Sequence, residues 1–281
     1  MTKAKKTGIQ QYMLREHFKT EQEALETLKR VKAVGFDSIE LCGFLTEPNE
    51  LLKGTPLEIK VIYDWPQLIR ESGLEVAAFH ELLEDMLADP DRFIGKAKDY
   101  GIDTMVAAAV FTTDFSSLDS VKKLVTDLNS LGQRFKEAGI NLLYHNHNME
   151  FARIHGTNSV GMDLIYRDTN PALVNAEMDA FWTQNSGANP AVWAEKLNGR
   201  LKYLHINDCG VPDDKPGVSI RPAVGRELGA GNMELDTIFA AAIKAGCEQI
   251  ILETHDNWIN NDPFQSMAIS FKFLQEHYLN R

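Results

Sequence analysis

The chain has 281 residues, 44% of them hydrophobic and 25% charged, a balance typical of a globular protein with a substantial core. Its formal net charge of −11 disfavours nucleic acid as a partner, because the protein as a whole repels a phosphate backbone. No stretch approaches the roughly 18 uninterrupted apolar residues that a membrane span requires, so no membrane partner is expected.

Three cysteines, Cys42, Cys209 and Cys247, are far apart and odd in number. None forms a C-x-x-C pair, so neither a disulfide framework nor a zinc ribbon is indicated. Reduced thiols are typical of a reducing compartment. Since the N-terminus also lacks the apolar core of a signal peptide, the sequence predicts a cytoplasmic protein.

Short apolar runs recur along the chain and alternate with segments whose apolar residues are spaced by three or four. The runs cover residues 7–13, 38–44, 75–82, 104–110, 140–147, 173–179, 201–208 and 249–255. The intervening segments 23–35 and 119–139 have the clearest helical period. Glycines follow these helical patterns, as C-terminal helix caps do, at Gly35, Gly73, Gly101, Gly139 and Gly246.

The repeating unit is therefore a strand followed by a helix, which requires parallel strands joined by helical crossovers. Eight such units in a chain of this length predict an α/β fold, a (β/α)8 TIM barrel, with residues 1–281 as a single domain. An open doubly wound sheet is the alternative, but the first strand-to-helix turn has no G-x-G-x-x-G motif. The longest connection, residues 209–232, is expected to overhang the active-site face as a lid or dimer contact.

Polar side chains end the last four predicted strands in pairs that are two positions apart. The pairs are His145 and His147, Glu177 and Asp179, His205 and Asn207, and Glu253 and His255, with Glu150 just beyond the first. Residues two apart share one face of a strand, and the C-terminal strand ends form the active-site face of a barrel. No Lys or Arg lies at these strand ends to neutralise the carboxylates. A divalent cation with carboxylate and imidazole ligands is the predicted partner.

A single residue of this kind has an ordinary structural explanation. A histidine at a strand end can bond a carbonyl group, and an aspartate after a strand often caps the next helix. The repetition of the pattern at four successive strand ends favours the metal site.

Four motifs together resemble the sugar phosphate isomerase/epimerase family of xylose isomerase-like TIM barrels. They are YHNHNMEF (144–151), EMDAFW (177–182), LHIND (204–208) and ILETH (251–255). Weaker similarity extends over GIQQYMLREHF (8–18), AAFHELL (77–83) and ELGAGNMELDTIF (227–239), so the resemblance covers essentially the whole chain.

The resemblance implies one divalent metal ion, often Mn²⁺, with Mg²⁺, Co²⁺ and Zn²⁺ as alternatives. By motif, Asp179, His205 and Glu253 match three of the family's ligands. The fourth ligand of many relatives is a glutamate within the fifth strand, where this chain has Tyr144. Here the motif points to Glu150, with His147 as the competing ligand.

The reaction that the resemblance implies is isomerisation or epimerisation of a sugar or keto-sugar by proton abstraction next to a carbonyl, through a metal-stabilised enediolate. Glu150 and Glu253 would be the catalytic pair. The expected substrate contacts are His80, His145, His147, Trp182, Asn207 and His255. Asn207 replaces a lysine of many relatives, which argues against a mechanism that needs that lysine. An amide at this position can still bind a neutral sugar through hydrogen bonds.

Three alternatives stay open. The same enolate chemistry serves a dehydratase that acts on a keto-inositol or a 3-keto-glycoside. A phosphodiesterase of the endonuclease IV type needs several zinc ions and a basic DNA groove, which the acidic composition does not favour. A sugar-binding barrel without catalysis would keep its ligand affinity after metal removal. In each enzymatic interpretation except the nuclease, the partner is a small sugar. The oligomeric state stays open, and the resemblance allows a homo-oligomer because dimers and tetramers are common among relatives.

Overall fold

The computed structural model describes residues 6–108, 110, 112–212 and 222–280. The first seven barrel strands are β1 (Lys6–Gln10), β2 (Ser38–Cys42), β3 (Glu75–Leu82), β4 (Thr104–Ala108), β5 (Asn141–His145), β6 (Val174–Asp179) and β7 (Leu201–Ile206). An antiparallel pair, β8 (Asp208–Gly210) and β9 (Val224–Arg226), lies outside the barrel, and β10 (Gln249–Leu252) is the eighth barrel strand. The eight barrel strands are parallel and closed, in the order β1-β10-β7-β6-β5-β4-β3-β2. The predicted (β/α)8 barrel is confirmed.

Helices connect the strands around the outside of the barrel. They are α1 (Glu21–Val34), α2 (Gly43–Thr46), α3 (Trp65–Ser72), α4 (Leu83–Ala88), α5 (Pro90–Tyr100), α6 (Leu118–Glu137), α7 (Gly161–Asp168), α8 (Ala180–Asn185), α9 (Pro190–Lys196), α10 (Leu235–Ala245) and α11 (Pro263–Leu274). Short 3₁₀ segments span Gln11–His17, Glu50–Leu52, Met149–Phe151 and Ile259–Asn261, and a π-helical turn spans Gln275–Leu279.

The helical periods place α1 and α6 within two residues of their predicted bounds. Capping follows the sequence signals as well. Gly73 ends α3 in a left-handed conformation, with φ of 75°, and its N–H returns to the carbonyl groups of Ile69 and Arg70. A side chain is rarely stable at such a φ, so glycine is the residue that this helix end requires.

Several predicted strands are too long at their C-terminal ends. The first stops at Gln10, and a 3₁₀ helix follows from Gln11. The last stops at Leu252, so Glu253 and His255 lie in the loop after β10 rather than on one strand face. The regular ladders to both neighbouring strands end at Leu252, opposite Ile9 and Ile206.

The inside of the barrel changes from apolar to polar along its axis. A small cluster separate from the main core is made of Ala78, Val106 and Leu143, with Tyr203 packed against it. Two positions further along three of these strands stand His80, His145 and His205, all buried. Because residues two apart share a strand face, the histidines lie directly above the apolar cluster, at the carboxyl ends of the strands.

The predicted connection 209–232 is only partly described, since residues 213–221 lie outside the described residues. The described parts of this connection form the β8–β9 pair. Asp208 holds the segment after β9, because its carboxylate accepts the backbone N–H groups of Gly229, Gly231 and Met233. No helix among the described residues combines the length and the apolar character that a bilayer crossing requires. The three cysteines are buried free thiols.

Candidate metal centre

His205, at the end of β7, occupies the middle of the site. Its Nδ1 lies 2.8 Å from Oε2 of Glu253, and its Nε2 lies 2.7 Å from Oε2 of Glu40 and 3.4 Å from Oε1 of Glu177. Burial opposes a charged imidazole, but the negative charges of Glu177 and Glu40 raise the pKa of His205 well above its ordinary value.

Four buried side chains converge above the barrel core. His145, Asp179, His205 and Glu253 each offer one ligand atom, and these atoms all lie within 4.8 Å of one another. Three of the four are ligands that the sequence predicted, whereas His145 was predicted to contact substrate. A set of two imidazoles and two carboxylates suits Mn²⁺, Fe²⁺, Co²⁺ or Zn²⁺ better than Mg²⁺, which prefers oxygen ligands.

Asp179 combines both of the roles that a strand-end aspartate can have. Its Oδ1 accepts the backbone N–H of Trp182 at 2.7 Å and so caps α8. The same carboxylate belongs to the group of four potential ligands. Burial and the nearby charge of Glu253 raise the pKa of Asp179 to about 7. A nearby cation would reverse that shift.

Glu253 lies between two imidazoles. Oε1 is 3.0 Å from Nε2 of His255, and Oε2 is 2.8 Å from Nδ1 of His205. Burial opposes the charged carboxylate, but the two histidines lower the pKa of Glu253 well below its ordinary value. Glu253 is therefore an ionised proton acceptor at neutral pH.

A second polar layer lies below this group, deeper in the barrel. Its potential ligand set is His80, His145, Glu177 and His205. Nδ1 of His80 is 3.4 Å from Glu40, 3.7 Å from Glu177 and 3.1 Å from Nε2 of Gln10. The structure thus places His80, a predicted substrate contact, among the carboxylates of this layer. Glu40 was not among the predicted site residues, and its only sequence signal is a charged residue inside an apolar run. Glu177 was named as half of the polar pair that ends the sixth strand, but no ligand or substrate role was predicted for it.

The two deep carboxylates differ in ionisation. Burial opposes the charged form of Glu40, but His205 and His80 lower its pKa to about 2. Burial and the charge of Glu40 raise the pKa of Glu177 to about 8. One carboxylate oxygen of each, Oε1, is buried and accepts no hydrogen bond from the described residues.

The site gathers four buried acidic side chains, Glu40, Glu177, Asp179 and Glu253. Within the part of the chain that the structure describes, their ion-pair partners are histidines, and no lysine or arginine pairs with them. Ionising all four carboxylates at once is costly without a further counter-charge. The donor set therefore fits a divalent cation.

Comparison with known proteins agrees with this geometry. The family model described as xylose isomerase-like TIM barrel matches residues 28–277. The chain belongs to the xylose isomerase-like TIM barrel family. The match covers seven of the eight barrel strands and includes every residue of the four-ligand group.

Solved structures of this family share the fold at low identity. A sugar phosphate isomerase/epimerase from Parabacteroides distasonis ATCC 8503 superposes with a TM-score of 0.73 at 23% identity, over 100% of this chain and 96% of that one. An L-ribulose 3-epimerase superposes with a TM-score of 0.71 at 17% identity, over 98% and 95%.

A curated relative is the inosose dehydratase of Lacticaseibacillus casei, which is 24% identical over 165 residues. The match covers 56% of this chain and 54% of that protein. The chain therefore spans about half the length of the curated relatives it matches.

Within this xylose isomerase-like barrel, the carboxylate of Glu150 bonds to residues close to it in the chain. Its Oε1 accepts the hydroxyl of Tyr144 at 2.9 Å, and its Oε2 accepts the backbone N–H of His147 at 2.9 Å. Burial raises the pKa of Glu150 to about 7. In the described residues the fifth-strand member of both potential ligand groups is His145, not Glu150. The ligand role of Glu150 stays a prediction.

Asn146 was not among the predicted site residues, although it lies inside the YHNH motif. Its Oδ1 accepts the backbone N–H of Asp179 at 3.1 Å, and its Nδ2 donates to Oγ1 of Thr183 at 3.3 Å. These bonds tie the end of β5 to the beginning of α8. Asn146 thereby sets the distance between His145 and Asp179.

Unpaired polar atoms lie two or three residues beyond three of the ligand residues, and we call this set the rim of the site. Nδ1 of His147, Nε1 of Trp182 and Oδ1 of Asn207 are buried, and none has a hydrogen-bond partner among the described residues. The ring of Trp182 lies between His147, at a centroid distance of 5.9 Å, and His255, at 5.5 Å. Buried polar atoms without partners are costly, so this rim favours a polar ligand.

We expect a purified sample to contain a single transition-metal ion per chain and to be stabilised by it. At an ion concentration about 100-fold above the dissociation constant, binding to the folded state adds about 2.7 kcal/mol to the free energy of unfolding. Elemental analysis gives the metal content, and thermal unfolding with EDTA, Mn²⁺, Co²⁺ or Zn²⁺ gives the stabilisation. Ca²⁺ is the control, since it prefers six to eight oxygen ligands. Several ions per chain would favour the endonuclease IV type of site, and no stabilisation by any of the three metals would contradict the metal centre.

Proposed function

We propose that the protein is a metal-dependent enzyme that isomerises or epimerises a sugar or keto-sugar by moving a proton on a carbon next to a carbonyl. The observation that carries this proposal is the buried group of His145, Asp179, His205 and Glu253, open to a rim of unpaired polar atoms. A single cation would satisfy the ligand group, and a hydroxyl-rich ligand would satisfy the unpaired atoms of the rim.

These four residues would hold one divalent ion, with Mn²⁺ as the proposed species. When bound, such an ion supplies a Lewis acid that polarises a carbonyl group and favours loss of the adjacent proton. Burial of the four side chains excludes water and strengthens every interaction of the ligands with the reacting group.

Glu253 is the proposed base. Its low pKa keeps it ionised, and its Oε1 faces Nε2 of His255 at 3.0 Å. Burial opposes a charged imidazole, but the charge of Glu253 raises the pKa of His255, which favours the imidazolium that donates Nε2–H to Oε1 and holds the carboxylate in place for proton abstraction. A base must be held within hydrogen-bond distance of the proton that it removes.

A second group must return a proton to the neighbouring carbon or to the opposite face. Glu150, the predicted partner of Glu253, uses both carboxylate oxygens to accept bonds from Tyr144 and from the backbone of His147. We therefore assign Glu150 to holding the His147 segment, and proton return to His147, whose neutral ring can take up a proton at one nitrogen as it gives up the proton on the other. Burial lowers the pKa of His147 to about 4, so its ring is neutral at pH 7, with Nδ1 unpaired.

Trp182 and Asn207 are the proposed substrate-orienting residues. The indole N–H of Trp182 can donate to a hydroxyl group, and Oδ1 of Asn207 can accept one. The Trp182 ring also offers an apolar face for the C–H groups of a sugar. Arg15, a cation near the rim, donates to the carbonyl groups of Tyr12 and His255, so its guanidinium serves the fold.

A dehydratase is the second candidate function. The curated relative named inosose dehydratase favours it, and elimination begins with the same proton abstraction. In that reaction the second group protonates a leaving hydroxyl group instead of a carbon. The same residue, His147, would serve either outcome.

One assay distinguishes the two reactions. The metal-loaded protein is incubated in D₂O with ketopentoses, ketohexoses and an inosose, and the products are followed by NMR and mass spectrometry. Isomerisation or epimerisation gives a product that gains deuterium next to the carbonyl without loss of water. Elimination gives a dehydrated product with enone absorbance. If neither product forms faster with the protein than with the Asp179→Asn variant, the proposed chemistry is wrong.

A further inference from the structure

The two histidines of the ligand group each meet a carboxylate from the deeper layer, but through different ring nitrogens. Nε2 of His205 lies 2.7 Å from Oε2 of Glu40. Nδ1 of His145 lies 3.2 Å from Oε2 of Glu177. Glu40 belongs to neither of the potential ligand groups, so its contact with His205 needs another explanation.

An imidazole that binds a metal ion is in its neutral form, with one N–H and one lone pair. The nitrogen that donates to a carboxylate carries the hydrogen, so the lone pair is left on the opposite nitrogen. In His205 that opposite nitrogen is Nδ1, which already faces Glu253, a member of the ligand group, at 2.8 Å. In His145 it is Nε2.

The backbone supports this arrangement at both carboxylates. The β2–β3 ladder shifts its register between Ile39 and Leu41, at Glu40. The β6–β7 ladder shifts between Ala176 and Glu177. Register irregularities re-aim the side chains beside them and are common next to active sites.

Other residues contact the same oxygen of Glu40 as His205 does. Gln10, on β1, donates its amide to Oε2 of Glu40, and His80 lies 3.4 Å from the same oxygen. The amide oxygen of Gln10 in turn accepts the thiol of Cys42. Three strands thus hold a fully buried carboxylate against one imidazole nitrogen, which is more than packing alone requires.

We propose that Glu40 and Glu177 are positioning residues that fix opposite tautomers of the two ligand histidines, so that the metal is bound by Nδ1 of His205 and Nε2 of His145. The proposal rests on the metal centre of the proposed function, but it does not depend on which substrate is used.

The competing arrangement is an ion held in the deeper layer by His80, His145, Glu177 and His205. Binding there through Nε2 of His205 would break its 2.7 Å hydrogen bond to Glu40 and leave that buried carboxylate with only its contacts to Gln10 and His80. Such a loss is costly for a charged, fully buried group. We therefore favour the upper position, and the experiment separates the two.

The first test uses the wild-type protein and Zn²⁺, which is diamagnetic. Long-range ¹H–¹⁵N NMR of the histidine rings identifies the metal-bound and the protonated nitrogen of each imidazole. We expect binding at Nδ1 of His205 and Nε2 of His145, with a single Zn²⁺ per chain. Binding at Nε2 of His205, or a second Zn²⁺ in the deeper layer, would overturn the proposal. This test requires no variant to fold.

The second test measures Zn²⁺ affinity by competition with a chelator. Glu40→Met and Glu177→Met, which remove the acceptor at similar volume, should each weaken Zn²⁺ binding by about 10- to 100-fold. Glu40→Gln should fall between Glu40→Met and wild type, because its amide oxygen can still accept the N–H of His205. The matched control is Glu81→Gln, a buried glutamate that pairs with Lys96 outside the site, and it should change the affinity by less than about twofold.

Unchanged affinity in a folded Glu40→Met variant would overturn the positioning role. The outcome is separable from that of the proposed function. If Zn²⁺ binds as expected but no sugar is converted, the tautomer assignment stands and the enzymatic proposal fails.

Discussion

The Asp179→Asn variant is expected to fold normally but to lose metal affinity and turnover, the latter by about a thousandfold. An amide is a weak, neutral ligand, and metal binding in an active site contributes several kcal/mol of charge stabilisation. Each 1.36 kcal/mol lost from that stabilisation lowers the rate by about tenfold. The fold should survive because asparagine caps helices about as well as aspartate, so its Oδ1 can keep the bond to the N–H of Trp182.

The control for this variant is Asp262→Asn. Asp262 caps α11 by accepting the N–H groups of Phe264 and Gln265, outside the site. The chemical change and the capping role are the same, so metal affinity and turnover should stay at wild-type values. Circular dichroism and thermal unfolding establish that both variants are folded, and calorimetric titration with Mn²⁺ gives the affinities. Wild-type affinity in Asp179→Asn would show that Asp179 is only a helix cap.

The architecture of this chain could be predicted from the sequence because its signals are local. Each barrel strand is a short apolar run, and each long helix has apolar residues at three- and four-residue spacing, as in α6. Right-handed crossovers leave few ways to connect eight such units. The third strand, residues 75–82, has the same bounds in the prediction and in the structure.

Strand ends could not be predicted in the same way, because they depend on the neighbouring strands. The run 249–255 is apolar enough at its start to predict a strand, but its regular ladder pairing stops at Leu252. Glu253 and His255 consequently meet through a loop, with 3.0 Å between Oε1 and Nε2. The sequence predicted that both residues lie on one face of a strand. The prediction that they are close to each other is right, but they lie in a loop and not on a strand.

The roles of the deep carboxylates could not be predicted for a related reason. Glu40 is a single charged residue inside an apolar strand, and Glu177 was predicted only as a member of the polar pair with Asp179. Spacing alone cannot tell which layer of the barrel such a residue joins. Layer and direction follow from the stagger between strands, which here includes the register shifts at both residues. Only the closed barrel shows that β2 contributes to the same site as β7.

The sequence motif and the structure point to different metal ligands near the fifth strand. The motif points to Glu150, whereas the structure places His145 within 4.8 Å of the other three ligand atoms. In YHNHNMEF both residues are close in sequence, but β5 ends at His145, and Glu150 lies in the 3₁₀ segment beyond it. Two glutamine variants separate the two alternatives.

We expect His145→Gln to weaken metal binding by about a thousandfold, because it removes an imidazole ligand and the contact to Glu177. Glu150→Gln should leave the metal affinity nearly unchanged but lower the free energy of unfolding by about 1–3 kcal/mol. Its amide can accept a bond through only one of its two terminal atoms, so either the hydroxyl of Tyr144 or the N–H of His147 loses its acceptor. Metal titration and urea unfolding of both variants give the two quantities.

Each variant is the control for the other, because both introduce a glutamine, one at the end of β5 and one in the 3₁₀ segment that follows it. A loss of affinity confined to Glu150→Gln would mean that metal binding turns the Glu150 carboxylate away from Tyr144 and into the site. That rearrangement would also release the N–H of His147, which Glu150 holds at 2.9 Å. The assignment of proton return to His147 would then fail, and Glu150 and Glu253 would face the substrate as a carboxylate pair.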